Sequence, residues 1–135
     1  MGRLLAIDYG TRRVGLALSD PLKMIASPYR TIINKGNSNL IVEIERIIAA
    51  EDVEQTIIGL PLGMAGQITE QTKKVEEFAD KLIARGIAIE YEDERWSSVA
   101  AKRSMKEQNI SSGYNKELVD QTAAAIFLQQ YLDRH

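Results

Sequence analysis

Residues 4–20 read LLAIDYGTRRVGLALSD. Two short apolar runs, 3–9 and 13–19, flank the turn YGTRR, a pattern that predicts a β-hairpin. In the first run Leu4, Ala6 and Asp8 share one face, and Leu5, Ile7 and Tyr9 share the other. In the second, Gly15, Ala17 and Ser19 share a face. Their small side chains predict room beside the first strand for a ligand or a nucleotide backbone. Two roles fit Asp8. It can cap the YGT turn by accepting from backbone N–H groups. Alternatively it holds a ligand at a strand's C-terminal end, where ligands gather in open α/β sheets.

Outward from the hairpin, a third strand is expected near Tyr29 to Ile33, after Ser27-Pro28, followed by the loop NKGNSN. From Asn39 the period changes. Leu40, Ile41, Ile44, Ile47 and Ile48 fall on one helical face. QTIIGL, 55–60, is a short apolar strand, and GLPLGMAG behind it is a loop broken by glycine and proline. That loop either approaches another backbone closely or simply reverses the chain. Residues 68–85 read as a helix stopped by Gly86, and IAIEY, 87–91, as a fifth strand. A short helix is expected from Ser97 or Ser98 to about Gln108, and a last helix from near Asn115. The order predicts an α/β fold. Its mixed five-stranded sheet has three antiparallel strands, then two parallel ones reached through helices, with helices on both faces.

Composition narrows the chemistry. A chain of 135 residues suits one domain, 1–135. It has no cysteine, and its single histidine is His135. Thiol catalysis and zinc–thiolate sites are thereby excluded, and a single histidine at position 135 argues against a Ser-His-Asp triad or a multi-histidine metal site. Carboxylates, hydroxyls, Lys and Arg remain, and carboxylates without His or Cys favour a hard cation such as Mg2+ or Mn2+. The net charge of −2 gives no overall pull toward nucleic acid, so any such contact needs a local basic patch. No apolar run nears the ~20 residues of a membrane span, and MGRLLAI lacks a signal peptide's apolar region. A cytoplasmic location and no membrane partner are expected.

Two further segments carry acids. In IEYEDERWSS, 89–98, four acids fall within five residues: Glu90, Glu92, Asp93 and Glu94. A charge run of this kind is commonly a solvated strand edge leading into a polar loop. Asp93 and Glu94, however, lie just past a strand's C-terminal end, as Asp8 does, and alternation does not choose between them. Trp96 reads as a packing residue. In KELVDQTAAAIFLQQYL, 116–132, Asp120 shares a helical stripe with Ala123, Ala124, Phe127 and Tyr131. Asp120 suits an N-terminal helical aspartate favoured by the helix dipole. The three alanines beside it also allow close approach of a neighbouring element, which brings Asp120 toward the sheet. Taken together, Asp8, Glu94 or Asp93, and Asp120 are expected to hold two divalent ions ~3.5–4 Å apart. One ion would activate water and the other would stabilise the leaving oxygen of a phosphodiester. Arg12 and Arg13, in the turn beside Asp8, are the expected phosphate contacts. Arg95 can neutralise excess negative charge or meet a phosphate. Lys102 and Lys106 lie one helical turn apart with Arg103 adjacent.

IDYGTRRVGLALSD resembles the opening motif of the YqgF family, also named RuvX, small bacterial proteins with an RNase H-like fold related to RuvC-type Holliday junction resolvases. GLPLGMAG is similar to that family's glycine-leucine-proline loop, EDERWSS to its Asp-Glu-Arg motif, and KELVDQTAAAIFLQQYL to its C-terminal aspartate helix. The resemblance implies a metal-dependent nuclease that matures the 5′ end of pre-16S rRNA or, alternatively, resolves branched DNA. It implies Asp8, Glu94 and Asp120 as the catalytic and metal-binding acids, and Arg13 and Arg95 on the phosphate side. Departures from the family pattern are Gly63, where asparagine is frequent, and Trp96-Ser97-Ser98, where an aliphatic residue and Ser-Thr are usual. The fourth strand ends in GLPL without the acid that many RNase H-like enzymes carry there.

Three functions follow as expectations. The first is a two-metal phosphodiesterase on structured RNA. The second is the same chemistry on branched DNA, which needs two cuts and predicts a homodimer. The third is a non-catalytic nucleic-acid-binding module in ribosome assembly or transcription.

Overall fold

A computed structural model of the chain describes residues 2–94 and 113–135, of which 113–119 as backbone. The hairpin is present as β1 (Arg3–Asp8) and β2 (Arg13–Ser19), antiparallel, with Leu5 opposite Leu18 and Asp8 opposite Gly15. The remaining elements are β3 (Ala26–Ile33), α1 (Asn37–Ala50), β4 (Val53–Leu60), α2 (Glu70–Ala84), β5 (Ile89–Asp93) and α3 (Gly113–Arg134). The sheet order is β3-β2-β1-β4-β5. β3 pairs antiparallel with β2, whereas β4 pairs parallel with β1, and β5 with β4. The expected arrangement of three antiparallel strands followed by two parallel ones is therefore observed. The short helix expected over 97–108 lies outside the described residues.

Two apolar layers sandwich the sheet. On one face Leu5, Ile7, Val14, Leu16 and Ile58 pack with Leu40 and Ile44 of α1 and with Phe78 and Leu82 of α2. On the other, Leu4, Ala6, Ala17 and Ile57 pack with Ala123, Ala124, Phe127 and Leu128 of α3. Period-2 alternation in the strands thus divides the apolar residues between two helix layers. α2 begins with a capping box, in which the Thr69 side chain accepts from the Thr72 N–H and the Thr72 side chain accepts from the Thr69 N–H. Among the described residues no helix is long and apolar enough to cross a membrane.

Two expectations change. The small face of β2 does not leave open room for a ligand. α3 fills it, and the Asp120 carbonyl lies where a side chain on Gly15 would begin. β3 also starts earlier than expected, at Ala26, and includes Ser27 and Pro28. Among the described residues β3 is the outer strand and pairs only with β2, and Pro28 opposes Ala17 at a register shift. An edge strand tolerates a residue that cannot donate to the ladder.

Candidate active site

Because β1, β4 and β5 run parallel, their C-terminal ends meet at one edge of the sheet. β1 ends in Asp8, β4 in Gly59-Leu60, and β5 in Glu92-Asp93, with Glu94 immediately beyond. The ladders put Asp8 opposite Gly15, Gly59 opposite Glu92, and Leu60 opposite Asp93. Directly paired residues share a face, so Asp8, Gly15, Gly59 and Glu92 all face α3. Two residues beyond Glu92 in the strand direction, Glu94 returns to that face. Its carboxyl carbon lies 3.1 Å from where a Cβ on Gly59 would stand, and Phe127 Cε2 lies 2.7 Å from the same point. Asp93 belongs to the opposite face, with Leu60. Register thus separates two neighbouring acids that sequence alternation alone left equivalent.

α3 brings in Asp120. Its backbone sits against Gly15, the ladder partner of Asp8. The Arg13 Nε–H donates to Asp120 Oδ2 at 2.9 Å, and the two side chains are 24% and 15% exposed. Asp8 and Glu94 are buried, at 6% and 7% exposure. Asp8, Glu94 and Asp120 therefore share one face at one edge of the sheet, drawn from a strand end, the residue after another strand, and a helix. Arg12 is exposed in the hairpin turn, where its carbonyl accepts from the Asn34 N–H at 2.8 Å. The Asn34 amide also donates to the Gly10 carbonyl at 2.9 Å, which holds the turn against the end of β3. Arg95, Lys102 and Lys106 lie outside the described residues.

The donor set has the chemistry of a hard-cation site: three carboxylates, with no sulfur and no imidazole. Gly59 adds a cradle that any Cβ would fill, because it leaves bare backbone beneath the Glu94 carboxyl group. By these criteria the residues fit Mg2+ or Mn2+. Among the described residues, however, no group of three acidic, cysteine or histidine side chains is already arranged around a metal position. The Asp120 carboxylate accepts from Arg13.

A second acidic group lies farther back on the same face. Glu92 is 1% exposed and accepts from both terminal nitrogens of Arg134, each at 2.5 Å, and from the Gln130 amide, also at 2.5 Å. The Tyr131 hydroxyl donates to Glu90. Burial, the bond to Glu90 and the neighbouring carboxylates push the Tyr131 phenol up to about 12. These contacts tie the C-terminal half of α3 to β5. The sequence reading did not identify them, because Arg134 and Glu92 are far apart in the chain. Gly59 was also missed, although a glycine inside an apolar strand signals close approach by another group.

The GLPLGMAG loop closes on itself. The Gly63 N–H donates to the Gln67 carbonyl at 2.9 Å, and the Ala65 N–H to Gln67 Oε1 at 3.0 Å. The Gln67 amide fills the space where a Gly63 side chain would lie. The Thr72 hydroxyl donates to the Pro61 carbonyl, which joins the loop to the first turn of α2.

Comparison with known proteins bears on the family and the fold. A family model described as "RuvX: Holliday junction resolvase" matches residues 2–134. A Roseiflexus protein named "Putative pre-16S rRNA nuclease" is 41% identical over 133 residues, covering 98% of this chain and 94% of its own. A protein of the same name from Koribacter versatilis is 36% identical over 134 residues, covering 98% of this chain and 88% of its own. Among solved structures, T. thermophilus RuvC in complex with a Holliday junction substrate aligns with a TM-score of 0.62 at 14% identity, covering 99% of this chain and 95% of that one. That likeness is one of fold, the RNase H-like fold of the RuvC type. With the sequence match running almost from end to end, the chain belongs to the RuvX family.

Proposed function

We propose that this protein is a nuclease that hydrolyses phosphodiester bonds in structured RNA with the help of divalent cations, and that its role is maturation of the 5′ end of pre-16S rRNA. One observation carries the reading. Asp8 and Glu94, both buried, share a sheet face and edge with Asp120, whose backbone lies on the ladder partner of Asp8. The name borne by the relatives from Roseiflexus and Koribacter supports RNA as the substrate.

In this reading Asp8, Glu94 and Asp120 hold Mg2+ or Mn2+ through carboxylate oxygens. When bound, the ions supply an activated water and stabilise the leaving oxygen. The burial of Asp8 and Glu94 keeps bulk water from their carboxylates and strengthens their electrostatic effect. Arg13, at the mouth of the hairpin, offers a planar guanidinium to a phosphate, and Arg12 adds positive charge in the same turn. Arg95, Lys102 and Lys106 are proposed as further phosphate contacts on the strength of their sequence positions.

A second reading is resolution of branched DNA, favoured by the description of the family model that matches the chain. It requires two sites facing one substrate and hence two copies of the chain. Cleavage of pre-16S RNA and of a four-way DNA junction, compared at one salt concentration, decides between the substrates, because nucleic-acid affinity falls steeply with salt. In either case Asp8→Asn is expected to abolish Mg2+- or Mn2+-dependent cleavage with the fold intact. Equal cleavage by wild type and variant would overturn the nuclease reading in favour of a binding module.

A further inference from the structure

We propose that Arg13 couples substrate to metal: it holds the Asp120 carboxylate until a nucleic-acid phosphate draws the guanidinium away, so that each ligand tightens binding of the other. The inference rests on the reading of Asp120 as a metal ligand and goes beyond it.

Two contacts define the resting arrangement. The Asp120 backbone is seated on Gly15, closer than any side chain at that position would permit. Arg13 lies two residues earlier on the same face of β2, and its Nε–H reaches Asp120 Oδ2 at 2.9 Å. The backbone contact keeps α3 near the strand, so the ion pair opens by rotation of the Arg13 side chain. Both side chains are partly exposed, which leaves the guanidinium a path outward.

Competition follows from charge. A carboxylate engaged by a guanidinium has fewer lone pairs for a cation, and two positive groups at one carboxylate repel each other. A phosphodiester offers the guanidinium an equivalent planar partner, since arginine pairs with phosphate and carboxylate through the same fork. Substrate therefore removes the competitor from Asp120, and linkage requires that metal tighten substrate by the same factor.

The test is calorimetric titration of Mn2+ into the full chain, with and without a short phosphorothioate oligonucleotide that resists cleavage. For wild type, the oligonucleotide is expected to tighten Mn2+ binding about two- to fivefold, the range of a partly exposed ion pair. Arg13→Gln is expected to bind Mn2+ that much more tightly without oligonucleotide, to lose the enhancement, and to bind the oligonucleotide more weakly. A purely structural brace between β2 and α3 would not strengthen Mn2+ binding when removed. If both proteins bind Mn2+ with equal affinity, the coupling is overturned while the metal site stands. If neither binds Mn2+, the metal-site reading falls, and the coupling with it. Should Arg13→Gln not fold, the Arg13 Nε–H resonance of the wild type carries the test. It is expected to shift when oligonucleotide and Mg2+ are added together, and an unmoved resonance overturns the proposal.

Discussion

Asp120 rests on Gly15 backbone to backbone, and Gly15 is the antiparallel partner of Asp8. One glycine therefore sets the height of α3 above the strand that carries the first acid. The Gly15→Ala substitution places a methyl group into the Asp120 carbonyl, and neither backbone can yield without moving an element. Overpacking of this kind costs about 1–3 kcal/mol. Denaturant unfolding is expected to show that loss, and cleavage is expected to fall further than stability alone explains. An alanine variant of wild-type stability would show that α3 sits farther from β2 than described.

Gly59 plays the corresponding part on β4. A Cβ there would lie 2.7 Å from Phe127 Cε2 and 3.1 Å from the Glu94 carboxyl carbon. The nearer clash is with the Phe127 ring, which is packed in the core, and the buried Glu94 carboxyl group must shift as well. Gly59→Ala is expected to reduce cleavage about 10–100-fold through misplacement of that carboxylate. The cost in stability is about 1–3 kcal/mol. Parallel measurements of cleavage rate and unfolding midpoint check the pair of values, and unchanged cleavage would remove Glu94 from the site.

The local part of the arrangement was legible, and the illegible part depended on register. A charged residue closing an apolar strand marked Asp8, and the alanines on its helical stripe marked Asp120 as able to approach the sheet, but residue pattern alone left each with a structural role as well, and the resemblance supplied the catalytic one. Asp93 and Glu94 stayed equivalent because the expected strand ended at Tyr91, whereas β5 continues to Asp93. The strand continues because its ladder with β4 runs on through Gly59–Glu92 and Leu60–Asp93, and Glu92, on the α3 face, meets Arg134 from far along the chain. Local propensity contains no trace of such a partner. The small residues of β2 were read as space for a ligand, but they equally suit an alanine-lined helix, and α3 is what fills that face. β3 was expected to begin later because Ser-Pro usually signals a turn, a signal that an edge position overrides.

The Glu92–Arg134 contact predicts a double-mutant cycle. Glu92 is 1% exposed and the Arg134 side chain 53% exposed. Breaking a fully buried pair costs ~3–5 kcal/mol, but solvent screening at Arg134 reduces the expected loss for Arg134→Ala to about 1–3 kcal/mol. Glu92→Gln keeps the shape and a bond to Gln130 within reach, and removes the charge that Arg134 serves. Combined with Glu92→Gln, Arg134→Ala is expected to add little. Additive effects in urea unfolding would mean that the two side chains do not interact.

Acid sensitivity has one assignable source at the β2–β3 turn. Backbone N–H groups of Ile25 and Met24 both donate to Asp20 Oδ1 at 2.8 Å and hold its carboxyl below the ordinary 3.8. A depressed folded-state value stabilises the fold above pH 3.8, and that contribution disappears as pH falls through the lower folded-state value. Melting temperature followed against pH is therefore expected to decline less on its acid side for Asp20→Asn than for wild type. Identical acid limbs would show that the turn does not depend on the ionised carboxylate.

The Arg13–Asp120 bond joins residues 107 positions apart. Closing so long a loop is among the slower steps of folding, since its entropic cost precedes its reward. The site proposed above is consequently completed late in the maturing polypeptide, only after α3 has docked on the β1–β2 hairpin. Refolding experiments would register this order as helical signal returning ahead of hydrolysis.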